Sequence, residues 1–333
     1  MIVTANYTFV LAAGILISLV YNFGLSCYSA RQYPDIIAFR DARLSNANKI
    51  RIFKETGALM CHKIGGVVLN STDSIILSSF IGVGTVGLYS NYQLISSALD
   101  LFLNKVFGSF VPTIGNALID ARDSEKLKLY QRLRFINIWA ASFCALCFYL
   151  LINPFIKIWI GDKYLLDHAV VTILSLHFFW NSSRIINVGF VNASGLFVKD
   201  KLRPLIQAVL NLVISVYAVI HVGIVGVFIG TFLSTFFTSA WREGVVLYKY
   251  LFHCSCVDYF KCYLGWFFVS LMPAIGLHIL FSYIPESLLG FVIRLIIAVA
   301  AINFYFWIVF RKTESYLYMK QLLSSMTKRA FTG

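Results

Sequence analysis

Charge is scarce in this 333-residue chain. Asp, Glu, Lys and Arg make up 13% of it, against 59% hydrophobic residues, far from the balance of a soluble globular protein. The little charge present is lopsided, with 28 Lys and Arg against 15 Asp and Glu. A formal excess of +13 raises nucleic acid as a partner. No basic stripe interleaved with aromatics sits on a polar domain, however, and that class is set aside. Also missing are an acid pair, a His-rich cluster, a nucleophile elbow and a phosphate loop. The seven cysteines are an odd number and form no extracellular framework. Cys254, Cys256 and Cys262 lie near His253 without a recognised zinc spacing. Cys144 and Cys147 fall inside an apolar run, where C-x-x-C only places both on one helix face. No metal or cofactor is expected. No signal-peptide cleavage pattern or basic flank accompanies the first apolar run.

What the chain has instead is long apolar runs, at approximately 2–24, 57–81, 87–118, 135–154, 166–194, 204–222, 224–248, 263–284 and 288–310. A helix of roughly 20 apolar residues crosses about 30 Å of hydrocarbon. The fold class is therefore an all-α membrane protein, a polytopic bundle of about nine transmembrane helices. The third and fifth runs exceed what an untilted helix needs, and Pro112 predicts a kink or an end near the far end of the third. The short connections 82–86 and 221–223 demand antiparallel neighbours.

Lysines and arginines orient the bundle. One set of gaps carries Arg31, Arg40, Arg43, Lys49, Arg51 and Lys54, then Arg122 to Arg134, Lys199, Lys201, Arg203, Arg242, Lys249, Lys261 and a tail from Arg311. The opposite gaps carry Lys157 and Lys163, offset by Asp162 and Asp167. By the positive-inside rule the first set is cytoplasmic, which puts the C-terminus inside and Met1 outside, in a bacterial inner membrane. Residues 31–54 mix apolar and basic side chains in the manner of a helix lying in the cytoplasmic interface.

From Asn70 the sequence reads NSTDSIILSSFIGVGTVGLYSNYQLI, with Asp73 in an apolar helix and Gly82 and Val86–Tyr92 after it. A second block from Ala193, ASGLFVKDKLRPLIQAVLNLVISVYAVIHVGIVGVFIGTFLS, offers Gly195, the 199–204 hairpin, Asn211, Gly223, Gly226, Gly230 and Thr231. These blocks, with a fainter His62–Gly65 echo, resemble Wzx-type polysaccharide flippases. Those transporters of O-antigen or capsule repeat units belong to the multidrug/oligosaccharidyl-lipid/polysaccharide exporter superfamily. The resemblance implies two six-helix lobes facing a cavity, often followed by two further helices. On that pattern 1–24 is the last helix of an incomplete N-terminal lobe, lacking about five helices, and 25–56 an amphipathic cytoplasmic connector. Residues 57–248 then form the C-terminal lobe, 249–310 the extra pair and 311–333 a cytoplasmic tail. It also implies a lipid-linked oligosaccharide, carried on undecaprenyl pyrophosphate, as cargo, flipped with the help of an ion gradient. Membrane lipids surround it. A polypeptide supplying the N-terminal half, or a polysaccharide polymerase, is a candidate partner, because alternating access rocks one lobe against another.

A charge in hydrocarbon marks a site by default. Lys63, Lys105, Arg184 and Arg294 are candidates for an anion path to the diphosphate, because cations in a wet cavity offer charge-assisted hydrogen bonds. Arg294 and Lys63 lie near enough to helix ends to snorkel. Arg184 and Lys105 are roughly 10–15 Å deep, which points to a polar cavity or an internal ion pair. Asp73 and Asp100 are candidates for ion coupling or ion pairing. Asn70, Asn91, Tyr92 and Asn181, with Gln93 and Asn187, offer glycan contacts. Gly223, Gly226 and Gly230 read as close helix packing at a tight turn. The rival readings are a remnant or half-transporter that needs a partner, a multidrug exporter, and a polymerase-type enzyme. The enzyme reading lacks a large extracytoplasmic loop for its catalytic groups.

Overall fold

The computed structural model describes residues 7–34, 45–120 and 122–332. Every regular element among them is helical. In chain order these are α1 (Tyr7–Gln32), α2 (Asn46–Phe80), α3 (Val83–Gly108), α4 (Val111–Asp120), α5 (Asp123–Ile160) and α6 (His168–Ser182). There follow α7 (Ile185–Ala193), α8 (Arg203–Val222), α9 (Ile224–Tyr250), α10 (Val257–Ser282), α11 (Leu288–Phe310) and α12 (Glu314–Thr332). Short 3-10 turns occupy Asp162–Tyr164 and Leu196–Asp200. A backbone in hydrocarbon must satisfy its polar groups internally, and this all-helical content does so. Eight stretches of the described residues are long and apolar enough to cross a membrane. The chain is a polytopic α-helical membrane bundle. The expected run 57–81 lies on α2 and is not among the eight. His62, Lys63, Asn70 and Asp73 add to the polarity of that helix.

The chain divides into two compact units, Met1–Lys54 and Glu55–Gly333. In the first, α1 is apolar and carries Arg31 in its last turn. Much of the expected interfacial connector, residues 35–44, lies outside the described residues. In the second unit α5 is the central helix, touching α3, α6, α7, α10, α11 and α12. Its aromatic seam includes Trp139 and Phe135, which pack with Trp266 of α10 and Phe306 and Phe310 of α11. The tail helix α12 docks on α5 through Arg132–Glu314 (2.5 Å) and the stacking of Tyr316 on Trp139.

Two breaks shape the interior. Residues Ser109 and Phe110 separate α3 from α4, as Pro112 at the second position of α4 predicts. The fifth run also breaks, at Ser183 and Arg184, between α6 and α7. No proline or glycine marks that point. Its freed backbone groups are taken up by side chains from elsewhere. Asn137 of α5 donates to the Ser182 carbonyl (3.0 Å) and accepts from the Ile186 N–H (3.3 Å), and the Tyr263 hydroxyl donates to the Ser183 carbonyl (3.0 Å).

At the α8–α9 turn Gly223 has φ 61°, a left-handed backbone that favours glycine. Beyond it Gly226 and Gly230 lie so close to Ala218 and Ser215 of α8 that a Cβ at either would strike backbone. Small residues let two membrane helices approach in this way, and the approach carries Thr231 to the centre of the unit.

Candidate functional site

Inside the second unit, α2, α3, α5, α6, α8 and α9 enclose a cavity of ≈190 Å³. Its apolar wall is Phe148, Ile173, Phe178 and Phe228; its polar wall is Asp73, Gln93, Asp100, His177, Asn181, Gln207, Thr231 and Thr235. Two carboxylates and a histidine line it, and neither lysine nor arginine is among the described lining residues.

Asp73 is buried about two turns before the end of α2. The Thr231 hydroxyl donates to its Oδ1 at 2.6 Å, and the Asn211 amide donates to that hydroxyl at 2.9 Å. Among the described residues Asp73 has no cationic partner; Lys63 is ten positions along the same helix, about 15 Å away. A buried carboxylate without a counter-charge sits in an expensive position unless it takes up a proton or a cation. Asp100 accepts from Ser182 of α6, at the helix break, so its partner comes from another helix.

Arg184 is placed elsewhere. It opens α7, is 6% exposed, and forms a bidentate pair with Glu243 of α9, itself 1% exposed, at 2.8 and 2.5 Å. Arg203 approaches the same carboxylate at 3.3 Å and holds Asp200 at 2.5 Å, and Arg242 reaches Asp200 at 3.3 Å. Hydrogen bonds continue from Arg203 to Ser239, from Ser239 to Gln207, and from Gln207 to Thr235 on the cavity wall. The expected positive excess in the interior is therefore answered by an acid that sequence reasoning passed over. Glu243 lies within the run 224–248, where a charge count would have found it. Its neighbour Arg242 gave it the look of a helix end. Arg134, at the edge of the fourth run, reads in the sequence as one of the cytoplasmic gap cations. It is buried with its guanidinium 4.9 Å from the Tyr130 ring centre and 3.4 Å from the Tyr248 hydroxyl.

The remaining candidates scatter. Lys63 and Lys105 are exposed on α2 and α3. Arg294 is buried outside the cavity, donating to the Ile284 carbonyl. Tyr92 borders the cavity, but its hydroxyl is engaged in structure, donating to Asn153 (2.6 Å) and accepting from the Leu166 N–H (2.9 Å). Asn91 donates to the Gly87 carbonyl of its own helix. Asn181 is exposed at the cavity rim. Asn187 is buried against the Tyr130 and Tyr263 hydroxyls. The side chain of Asn70 lies outside the described residues. In the loop of Cys254 and Cys256, His253 pairs with Asp123 (3.1 Å).

Residues 1–118 match the family model for a polysaccharide biosynthesis protein. The match spans about a third of the chain and includes the α2 and α3 residues of the cavity, Asp73, Gln93 and Asp100. Over that third the chain is similar to polysaccharide biosynthesis proteins. No curated protein and no solved structure matches it.

Proposed function

We propose that the chain takes part in flipping an undecaprenyl-pyrophosphate-linked oligosaccharide across the bacterial cytoplasmic membrane, with Asp73 binding a proton or sodium ion in each cycle. The observation that carries this reading is a buried carboxylate left to hydroxyl and amide neighbours, on the wall of a polar cavity among the helices of the second unit. The match of residues 1–118 supplies the polysaccharide context. Gln93, Asn181 and the threonines of α9 supply amide and hydroxyl groups suited to sugar. Arg184 has no part in an anion path in this scheme, because Glu243 already neutralises it. The acidic lining suits an ion-coupling chamber better than a diphosphate cradle. A second lobe, from a partner polypeptide, completes the alternating-access pair.

The test is surface glycan display in a bacterium deprived of its own flippase and given this chain, with or without the candidate partner. With wild-type export established, Asp73→Asn is expected to lower display at least about tenfold, since the neutral amide cannot exchange an ion, and Asp73→Glu to keep part of it. Export by Asp73→Asn at the wild-type level rules the coupling role out. No export by the wild-type chain, with or without the partner, rules the transport reading out.

A further inference from the structure

Arg294 presents the least explained charge in the second unit. It lies two turns into α11 and is only 6% exposed. A guanidinium buried to that extent ordinarily faces a carboxylate. Among the described residues no carboxylate pairs with it. Its one hydrogen bond goes to the Ile284 carbonyl, its Nε has no partner, and the Phe281 ring stands 6.0 Å away.

The side chain lines a pocket of ≈550 Å³ at the end of the unit where α5 turns into α6 and α10 into α11. Lys157, His168 and His278 also line it, with Glu286. The acid there is already spoken for: Lys157 lies 2.6 Å from Glu286 and 3.1 Å from Asp162. Arg294 is thus the uncompensated charge of the pocket.

Tyr149 and His278 belong to this pocket and also to a second cleft, of ≈260 Å³, between α5, α6 and α10. That cleft is walled by apolar side chains such as Leu146, Phe179 and Leu271, and Ile275 and Ile279 on its edge are exposed. The pocket holding the uncompensated Arg294 therefore borders, at the stacked Tyr149–His278 pair, an apolar cleft that opens on the hydrocarbon-facing surface.

We propose that pocket and cleft together hold one phosphate-headed membrane lipid, its phosphate on Arg294 with Lys157 at the rim and an acyl chain along α5, α6 and α10. A free phosphate would leave the cleft unfilled, and an uncharged lipid would leave the guanidinium unpaired. A lipid bearing a phosphate satisfies both. Planar guanidinium groups match phosphate oxygens in pairs, and exclusion of water strengthens the contact. This site is separate from the acidic cavity and does not depend on the chain being a flippase.

The experiment uses the full chain purified in neutral detergent, with binding read by native mass spectrometry and by thermal shift. The probes are dioleoyl phosphatidylglycerol, dioleoylglycerol with the same tails and no phosphate, and inorganic phosphate. Wild type is expected to retain one phosphatidylglycerol in preference to dioleoylglycerol, and inorganic phosphate to give no shift. Arg294→Gln should weaken phosphatidylglycerol about tenfold or more, with Arg294→Lys between the two. Ala274→Phe fills the cleft without touching any charge and should weaken it similarly. Equal retention of dioleoylglycerol, a full shift from phosphate alone, or unchanged lipid affinity in either Arg294→Gln or Ala274→Phe overturns the proposal. Should Arg294→Gln fail to fold, the three probes on wild type and the Ala274→Phe form decide it.

Discussion

Glu243 and Arg184 sit where neither charge alone is tolerable. Two ions withdrawn from water are held by bidentate geometry and by the second cation Arg203. Removing one partner of such a pair leaves an unpaired buried charge and costs about 3–5 kcal/mol. Glu243→Ala is therefore expected to destabilise the protein by that amount in detergent unfolding. The double substitution Arg184→Met with Glu243→Met, which removes both charges, should fall much closer to wild type. Equal losses in the two forms would show that the ion pair is not what holds α7 against α9. Asp73 illustrates the opposite arrangement, a buried acid left to hydroxyl and amide neighbours. Both residues are acids in apolar runs. Only the identity of the side chain facing each one separates a structural pair from a candidate ion site.

At the scale of the helix, close approach and interruption decide what the interior contains. Gly230 of α9 rests on the backbone of α8 at Ser215. Gly230→Ala should force the two helices apart and cost about 1–3 kcal/mol by overpacking. Gly115 on α4 has open space where a Cβ would go. Gly115→Ala is thus expected to be neutral or to stabilise by about 0.4–1 kcal/mol. Thermal unfolding of the pair checks both; a neutral Gly230→Ala would mean that the α8–α9 contact is looser than drawn. Pro112 announces the end of α3 in the sequence. The α6–α7 break was not legible, because Asn137 and Tyr263, far away in the chain, stabilise it. A local reading has no access to partners 45 and 80 positions away.

At the scale of the whole molecule, the distribution of basic residues predicts which end faces the cytoplasm. Cys254, in the connection between α9 and α10, is exposed and belongs to the basic end. Partial burial, followed by Asp258 and Cys256, pushes its thiol above the ordinary value. Its thiolate fraction at neutral pH is therefore low, and labelling accelerates as pH rises. In a form keeping only Cys254, an impermeant maleimide at pH 8.5 should label opened membranes and spare intact cells. Lys163→Cys, in a form otherwise free of cysteine, should label in intact cells. The reverse pattern would invert the bundle.

Length and polarity of the runs determined the membrane class, the helical content and most of the spans, because a backbone in lipid has few ways to satisfy its hydrogen bonds. Most of the charges scattered along those runs, Glu243 excepted, were also legible as unusual. Only the tertiary structure decided their meaning, because a charge takes its role from what it faces across a helix interface. Glu243 silences Arg184, Thr231 holds Asp73, and Arg294 is left without an acid among the described residues.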